Sequence, residues 1–438
     1  MRRTLGLALL APVMMVQAQG APAVEARPIS LAEAVSQAQR NAPAAVQARG
    51  ALRSTSAATR TAFGAFFPSV TLNGGATRST GSQFFQGRLV PLTGNAYTMT
   101  EGLTMQVDLF TGFRRLNDLR RAHADEDAAD ASETAQRYSV AFLVKQQYYA
   151  ALAARESESA ALAQVDQAEQ QFRAAAARVS AGAATKSDSL RSVITVGNAR
   201  LALLTAQNDL RVANAALTRL VASPTPVTPV AADTVDPGPL ALDSVGLASA
   251  SADGPTVRQS RAQLAAAQAS ARAGRSTYLP TVSLSASSNG NSPKRGLQDG
   301  ITNFGGTFAF QDAVRLTVTY PLFNGLQREQ TAITTSVAED NAVAILRDAT
   351  LLVRQQLAQL LGALRTAQQQ ITIQRASLAA AEEDLRVQQQ RYSLGASTLL
   401  DVLTSQTALN AARAALIQAR FDYRNAKAQL EQLVGRDL

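Results

Sequence analysis

The chain of 438 residues contains no cysteine, no tryptophan and one histidine, His123, and only 5% of it is aromatic. The missing cysteine excludes a disulfide framework, a thiol nucleophile and a lipid-modified cysteine at the mature N-terminus. A single histidine removes most zinc sites and every Ser/His/Asp triad not built on His123, which lies in a helical run as a surface residue. Long apolar runs are also absent. Beyond the N-terminal segment no stretch of about 18 apolar residues occurs, so no transmembrane helix is available. The formal charge of +9 comes from Lys and Arg scattered among the acids, with no basic run beyond pairs. That pattern describes a solvated surface and not a nucleic-acid face.

What is present begins with a secretory signal over residues 1–18. Arg2 and Arg3 form a basic region, Leu5 to Val16 an apolar one interrupted by Pro12, and Val16-Gln17-Ala18 a small-residue cleavage site, with Ala21-Pro22-Ala23 as a second candidate. Export lowers the formal charge to +7 by removing two arginines. An exported chain without a transmembrane helix is periplasmic, secreted or inserted as a β-barrel.

The chain repeats itself. Leu109-Phe110-Thr111-Gly112 returns as Leu322-Phe323-Asn324-Gly325, 213 residues later, and the same offset pairs Gly182 with Gly395, Asp188 with Asp401 and Leu220-Val221 with Leu433-Val434. Two repeats follow, over 19–222 and 256–438. The segment between them, 223–255, holds six of the fifteen prolines and reads as a linker or irregular layer.

Each repeat carries the same order of elements. An Ala-rich stretch, Leu31 to Ala62, is predicted as one helix despite Pro43. Alternating apolar and polar residues predict strands over 68–80 and 96–110, joined by a polar loop, and over 280–290 and 307–322. Long helices follow. Residues 113–180 hold no proline or glycine, and 326–393 only Gly362, each spanning roughly 100 Å at 1.5 Å per residue. Short Gly-containing tips lead into return helices over 185–221 and 398–434. A heptad seam runs through Val402, Leu409, Leu416, Tyr423 and Leu430, and the long helix supplies Leu357, Leu364, Ile371, Leu378, Leu385 and Tyr392. The helices alone fit either an antiparallel coiled coil or a closed ring.

The strands decide between these. Eleven of fourteen phenylalanines fall within 63–113 or 304–323, and Phe66, Phe67, Phe110, Tyr278, Tyr320 and Phe323 sit near strand ends, where membrane barrels carry aromatic girdles. Four strands cannot close a barrel, since about eight are needed, and every edge must be paired in lipid. The strands therefore belong to an oligomer. The count of subunits does not follow from the pattern.

Tyr320-Pro321-Leu322-Phe323-Asn324-Gly325 resembles the strand-to-helix signature of TolC-type outer-membrane factors. So does the stretch from Arg391 through Tyr392, Gly395 and Asp401 to Leu403, and Ser30-Leu31-Ala32-Glu33-Ala34 is similar to the family's mature N-terminus. The resemblance covers nearly the whole mature chain. It implies an α+β membrane protein of the outer membrane: a homotrimer whose twelve-stranded transmembrane β-barrel, four strands per protomer, continues into a twelve-helix periplasmic α-barrel with a mixed equatorial layer. The implied function is the exit duct of a tripartite efflux or type I secretion system, docked on a periplasmic adaptor fed by an inner-membrane pump. It further implies adaptor contact at the tips Gly182-Ala183-Ala184 and Gly395-Ala396, and a gated entrance at Asp188, Tyr392, Ser397 and Asp401. Tyr392 and Asp188 match positions joined by hydrogen bonds, and Ser397 replaces an arginine. Three copies of Asp401 near one axis would raise one another's pKa. Pro68, Asp108, Pro280 and Pro321 are the expected strand–helix junctions. No cofactor, metal or catalytic residue is implied.

Gly182-Ala183-Ala184-Thr185-Lys186-Ser187 lacks the glycine before lysine and follows a helix, so it is not a phosphate loop. The rival from another class is a soluble periplasmic coiled-coil scaffold or adaptor, which leaves the duplicated strands without a use.

Overall fold

The computed structural model describes residues 26–78, 80–92, 97–182, 184–230, 244–291 and 309–438. The secretory signal, the tip residue Ala183 and the beginning of the expected strand at 307–308 lie outside the described residues.

The first repeat opens with β1 (Arg27–Ile29), α1 (Leu31–Asn41) and α2 (Pro43–Gly64). The single helix expected over Leu31 to Ala62 is two. Ala42 is extended, with φ −60° and ψ 136°, because the proline ring at 43 disfavours helical geometry in the residue before it, and Pro43 then starts α2. β2 (Ser69–Arg78) and β5 (Tyr97–Phe110) flank a hairpin of β3 (Gly81–Phe85) and β4 (Arg88–Leu92) where a polar loop was expected. Gln86 and Gly87 supply its two positive φ angles, a turn that suits two-residue hairpins. The long helix α3 (Arg114–Ser180) and its return α4 (Lys186–Val221) complete the repeat, followed by β6 (Val227–Pro229). The second repeat begins earlier than the expected 256, with helix α5 (Ser244–Ala252) inside the segment read as a linker or irregular layer, and continues with α6 (Pro255–Arg275), β7 (Thr281–Asn291), β8 (Ala309–Thr319), α7 (Gln327–Ser393) and α8 (Leu399–Val434).

Four strands form one antiparallel sheet in the order β2-β5-β7-β8. β5 and β7 come from different repeats, so the sheet is the seam of the duplication. Its register puts like beside like: Val70 pairs with Met105, Met105 with Ala286, and Ala286 with Val314. Leu284 likewise stands between Val107 and Leu316. One face is therefore apolar, and the other carries Thr, Ser and Gln. β2 and β8 are the two edges, and every residue of both is exposed.

Helix pairs α3/α4 and α7/α8 pack as antiparallel hairpins, and α3 also packs on α6 and α8 of the second repeat. The seam residues Val402, Leu409, Leu416, Tyr423 and Leu430 are buried, as are Leu357, Leu364 and Leu385 opposite them. A separate cluster gathers α1, the middle of α3 and the end of α4 around Tyr148, which is fully buried. Its hydroxyl donates to the Ile29 carbonyl at 3.0 Å and accepts from the Val230 amide at 3.2 Å, tying down the parallel pair β1–β6. One buried ion pair joins the repeats: Lys145 Nζ lies 2.6 Å from Glu431 and 2.8 Å from Asp437.

Candidate functional site

Both return helices begin with the same capping box. Thr185 Oγ1 accepts from the Asp188 amide, and the Asp188 carboxylate accepts from the amide and hydroxyl of Thr185 at 3.0 and 2.8 Å. Thr398 and Asp401 repeat the arrangement, with both donors of Thr398 2.8 Å from Asp401 Oδ2. The box satisfies amides that a helix start leaves without partners. The Thr185 hydroxyl and then its amide hold Asp188 below the usual carboxylate range, and for Asp401 the Thr398 amide and then its hydroxyl do so. These capping bonds favour the ionised form and act against the rise expected where copies of Asp401 cluster.

The tips turn at Gly182 and Gly395, with φ of 72° and 76°, where an added Cβ would meet nothing within 4 Å. The turn uses their backbone freedom and leaves their surroundings open. Ala184 and Ala396 follow the glycines. Ser397 donates to the Gln388 carbonyl at 3.3 Å, staying within its own hairpin. Tyr392 and Asp188 are not joined: the Tyr392 hydroxyl is buried without a hydrogen-bond partner, and Asp188 is committed to its cap. What reaches Tyr392 is Arg178, a residue the sequence reading did not single out. Its Nη1 donates to the Tyr392 carbonyl at 2.6 Å, and its guanidinium stands 4.5 Å over the tyrosine ring.

At the other end of the helices, Pro68 and Pro280 immediately precede β2 and β7, and Pro321 follows β8 by two residues. Asp108 sits in β5 at a register shift. The turn from strand to helix uses two consecutive left-handed residues, Gly112 and Phe113 in one repeat and Gly325 and Leu326 in the other. A duplicated arginine braces each turn. Arg115 donates to the Asp108 and Ala65 carbonyls and stacks on Phe66, while Arg328 donates to the Pro321 and Leu322 carbonyls and stacks on Tyr278. Arg115 and Arg328 are themselves 213 residues apart, as are Asp108 and Pro321. Comparing the two repeats column by column was the signal that would have exposed this pair.

An open amphipathic sheet continuing into paired helices of 67 residues is the architecture of outer-membrane channels. The outer membrane protein VceC of Vibrio cholerae superimposes with a TM-score of 0.75 over 93% of this chain and 96% of that one, at 20% identity. The Campylobacter jejuni outer membrane channel CmeC gives 0.77 over 92% and 85%, at 16% identity. In sequence, the outer membrane efflux protein BepC of Brucella suis biovar 1 is 27% identical over 375 residues, which is 82% of this chain and 76% of BepC. The family profile of outer membrane efflux proteins matches twice, over residues 34–223 and 247–436, and the chain belongs to that family. The two matches start 213 residues apart, the offset of the internal duplication. The protein is thus an efflux duct of the outer membrane, with its helices extending into the periplasm.

Proposed function

We propose that three copies of the chain close into a duct that receives cargo from a periplasmic adaptor and an inner-membrane pump and releases it outside the cell. The open edges of the four-stranded sheet carry this reading. In lipid an unpaired edge costs several kcal/mol per unsatisfied group, so β8 of one protomer must pair with β2 of the next. Three copies supply twelve strands. The helices ask for the same closure, because α4 exposes Leu190, Ile194, Leu201 and Leu204, and α7 exposes Ile333, Val337, Ile345 and Leu351. The duct asks no catalysis of the chain, and a soluble coiled-coil scaffold would leave the apolar sheet face in water. Outer-membrane fractions are expected to yield heat-modifiable trimers. A wholly soluble periplasmic chain would overturn the reading.

The tips are proposed as the adaptor contact. The space around Gly395 is open and its left-handed φ of 76° costs a side chain roughly 1–2 kcal/mol, so Gly395→Trp is expected to leave a folded trimer, while an added indole blocks the docking surface. Crosslinking to the adaptor should fall to background, and normal crosslinking would remove the tips from consideration.

Asp401 is proposed to line the entrance with one carboxylate per protomer. Asparagine keeps a side-chain carbonyl that can accept from the Thr398 amide and hydroxyl, so Asp401→Asn tests the charge and leaves the box able to form. Single-channel recordings of the variant are expected to show weaker cation preference and weaker block by multivalent cations. Unchanged selectivity would leave Asp401 as a capping residue alone.

A further inference from the structure

Strand β5 repeats as β8 at an offset of 213, and β2 repeats as β7 at 212, with Pro68 matching Pro280. The hairpin within each repeat keeps one register. Val70 pairs with Met105, and their counterparts Val282 and Val318 pair with each other. The seam between the repeats joins β5 to β7, with Leu103 opposite Ser288 and Glu101 opposite Gly290. The counterparts of those two strands are β8 and β2, the edges that remain open. In a ring of alternating repeats, β8 against β2 of a second copy is the same seam met again.

We infer, resting on the duct reading above, that β8 meets β2 of the neighbouring copy in the register of the intrachain seam, and that this brings Asp312 of one copy to Arg78 of the next as an ion pair. Carried over by the two offsets, the register sets Leu316 opposite Ala76 of the second copy and Val314 opposite its Arg78. The faces agree. Val314, Leu316 and Ala76 belong to the apolar face of the sheet, and so do Asp312 and Arg78. A slip of one residue would turn apolar side chains onto the polar face, so only slips of two compete.

Asp312 lies two residues from Val314 along β8, which makes it the diagonal neighbour of that Arg78, about 7–8 Å away at the backbone and within an arginine's reach. Slipped two residues one way, Asp312 would face Arg78 squarely, and slipped the other way it would lose it. The duplication decides for the diagonal. Both residues are exposed in the single protomer and sit toward the strand ends farthest from the helices. A charge on the lipid side costs little there, close to the membrane surface. The matching positions of the intrachain seam hold Met99 and Gly290. Opposite charges therefore occupy these two positions only where two chains meet.

The chain contains no cysteine, so a pair of introduced thiols reports alone. Ala76→Cys combined with Leu316→Cys is expected, on oxidation of the purified full-length protein, to give covalent trimers that survive heating in detergent. Within one protomer the two positions lie three strands apart, roughly 14 Å, so only a second copy can close the bond. Leu103→Cys with Ser288→Cys, the same pair in the intrachain seam, calibrates the rate through loss of free thiol. Ala76→Cys with Val314→Cys or with Val318→Cys, two residues off either way, should crosslink at least about tenfold more slowly, since diagonal backbones stand beyond disulfide reach. Asp312→Arg and Arg78→Asp should each lower the temperature at which trimers dissociate, and the two together should restore it. Faster closure by either offset pair, or no closure in intact trimers, would overturn the register. Additive losses in the charge exchange would overturn the ion pair. A chain that stays monomeric while the Leu103→Cys with Ser288→Cys control closes would instead overturn the trimeric reading beneath both.

Discussion

Gly112→Ala is expected to destabilise the protein far more than Gly325→Ala, although the two glycines are repeat mates in the same motif. Both have left-handed φ, 61° and 68°, so either substitution costs roughly 1–2 kcal/mol in backbone conformation. Only Gly112 is also enclosed. A Cβ there would lie 2.7 Å from the Ser276 carbonyl oxygen and 2.7 Å from Leu279 Cβ, whereas one at Gly325 would meet nothing within 4 Å. The obstructing atoms are backbone and the root of a side chain, so they move only with the second repeat. Forcing them apart adds about 1–3 kcal/mol. The measurement is the temperature at which trimers dissociate, with Gly325→Ala as the internal control. Equal losses in the two variants would show that conformation alone sets the cost and that the contact between repeats contributes nothing.

Lys145→Met should cost about 3–5 kcal/mol, because it strands a buried carboxylate. The Lys145 side chain is 14% exposed and that of Glu431 9%, while Asp437 is 86% exposed and contributes less. Lys427 stands 3.8 Å from Glu431 and replaces only part of the lost partner. The double variant Lys145→Met with Glu431→Leu should recover most of the loss, since replacing both members of a buried pair by apolar groups is often neutral. Chemical denaturation of the two variants separates these cases, and an additive double variant would contradict the coupling. The same pair has a pH signature. Burial alone would push Lys145 down, but the hydrogen bonds to Asp437 and Glu431 outweigh it and hold the ammonium above its ordinary value. A raised folded value means the stabilisation is complete below the ordinary lysine range and is lost as pH climbs through the folded one. Wild type should therefore weaken at strongly alkaline pH, and the double variant should lack that component.

The duplication and the class of each long element were legible because they rest on local patterns. A helix of 67 residues free of proline declares itself, and alternation in 97–110 or 309–319 marks a strand. Gly182 and Gly395 marked the tips for the same reason. What the pattern hid depends on contacts between distant residues. The α1/α2 break hides in an Ala-rich run, where only the residue before Pro43 changes conformation. The β3–β4 hairpin has a Gln-Gly turn, a weaker signature than Asn-Gly. Arg178 and Tyr392 lie 214 residues apart, and a cation in a helical run looks solvated until its neighbour is placed. Ser397 stands where the family resemblance implies an arginine, and the cation that reaches Tyr392 comes from the other hairpin.

The pairing of β5 with β7 has a kinetic consequence. Thr100 faces Asn291 and Phe110 faces Val282, so this half of the sheet waits until nearly two hundred residues of intervening chain have been ordered. Helical hairpins assemble from neighbours in sequence and form quickly, while pairings of such long separation form slowly because the loop must close before any bond rewards it. The newly exported chain is therefore expected to cross the periplasm with its helices formed and its strands unpaired. The sheet, and with it the commitment to the membrane, would be the last part to condense.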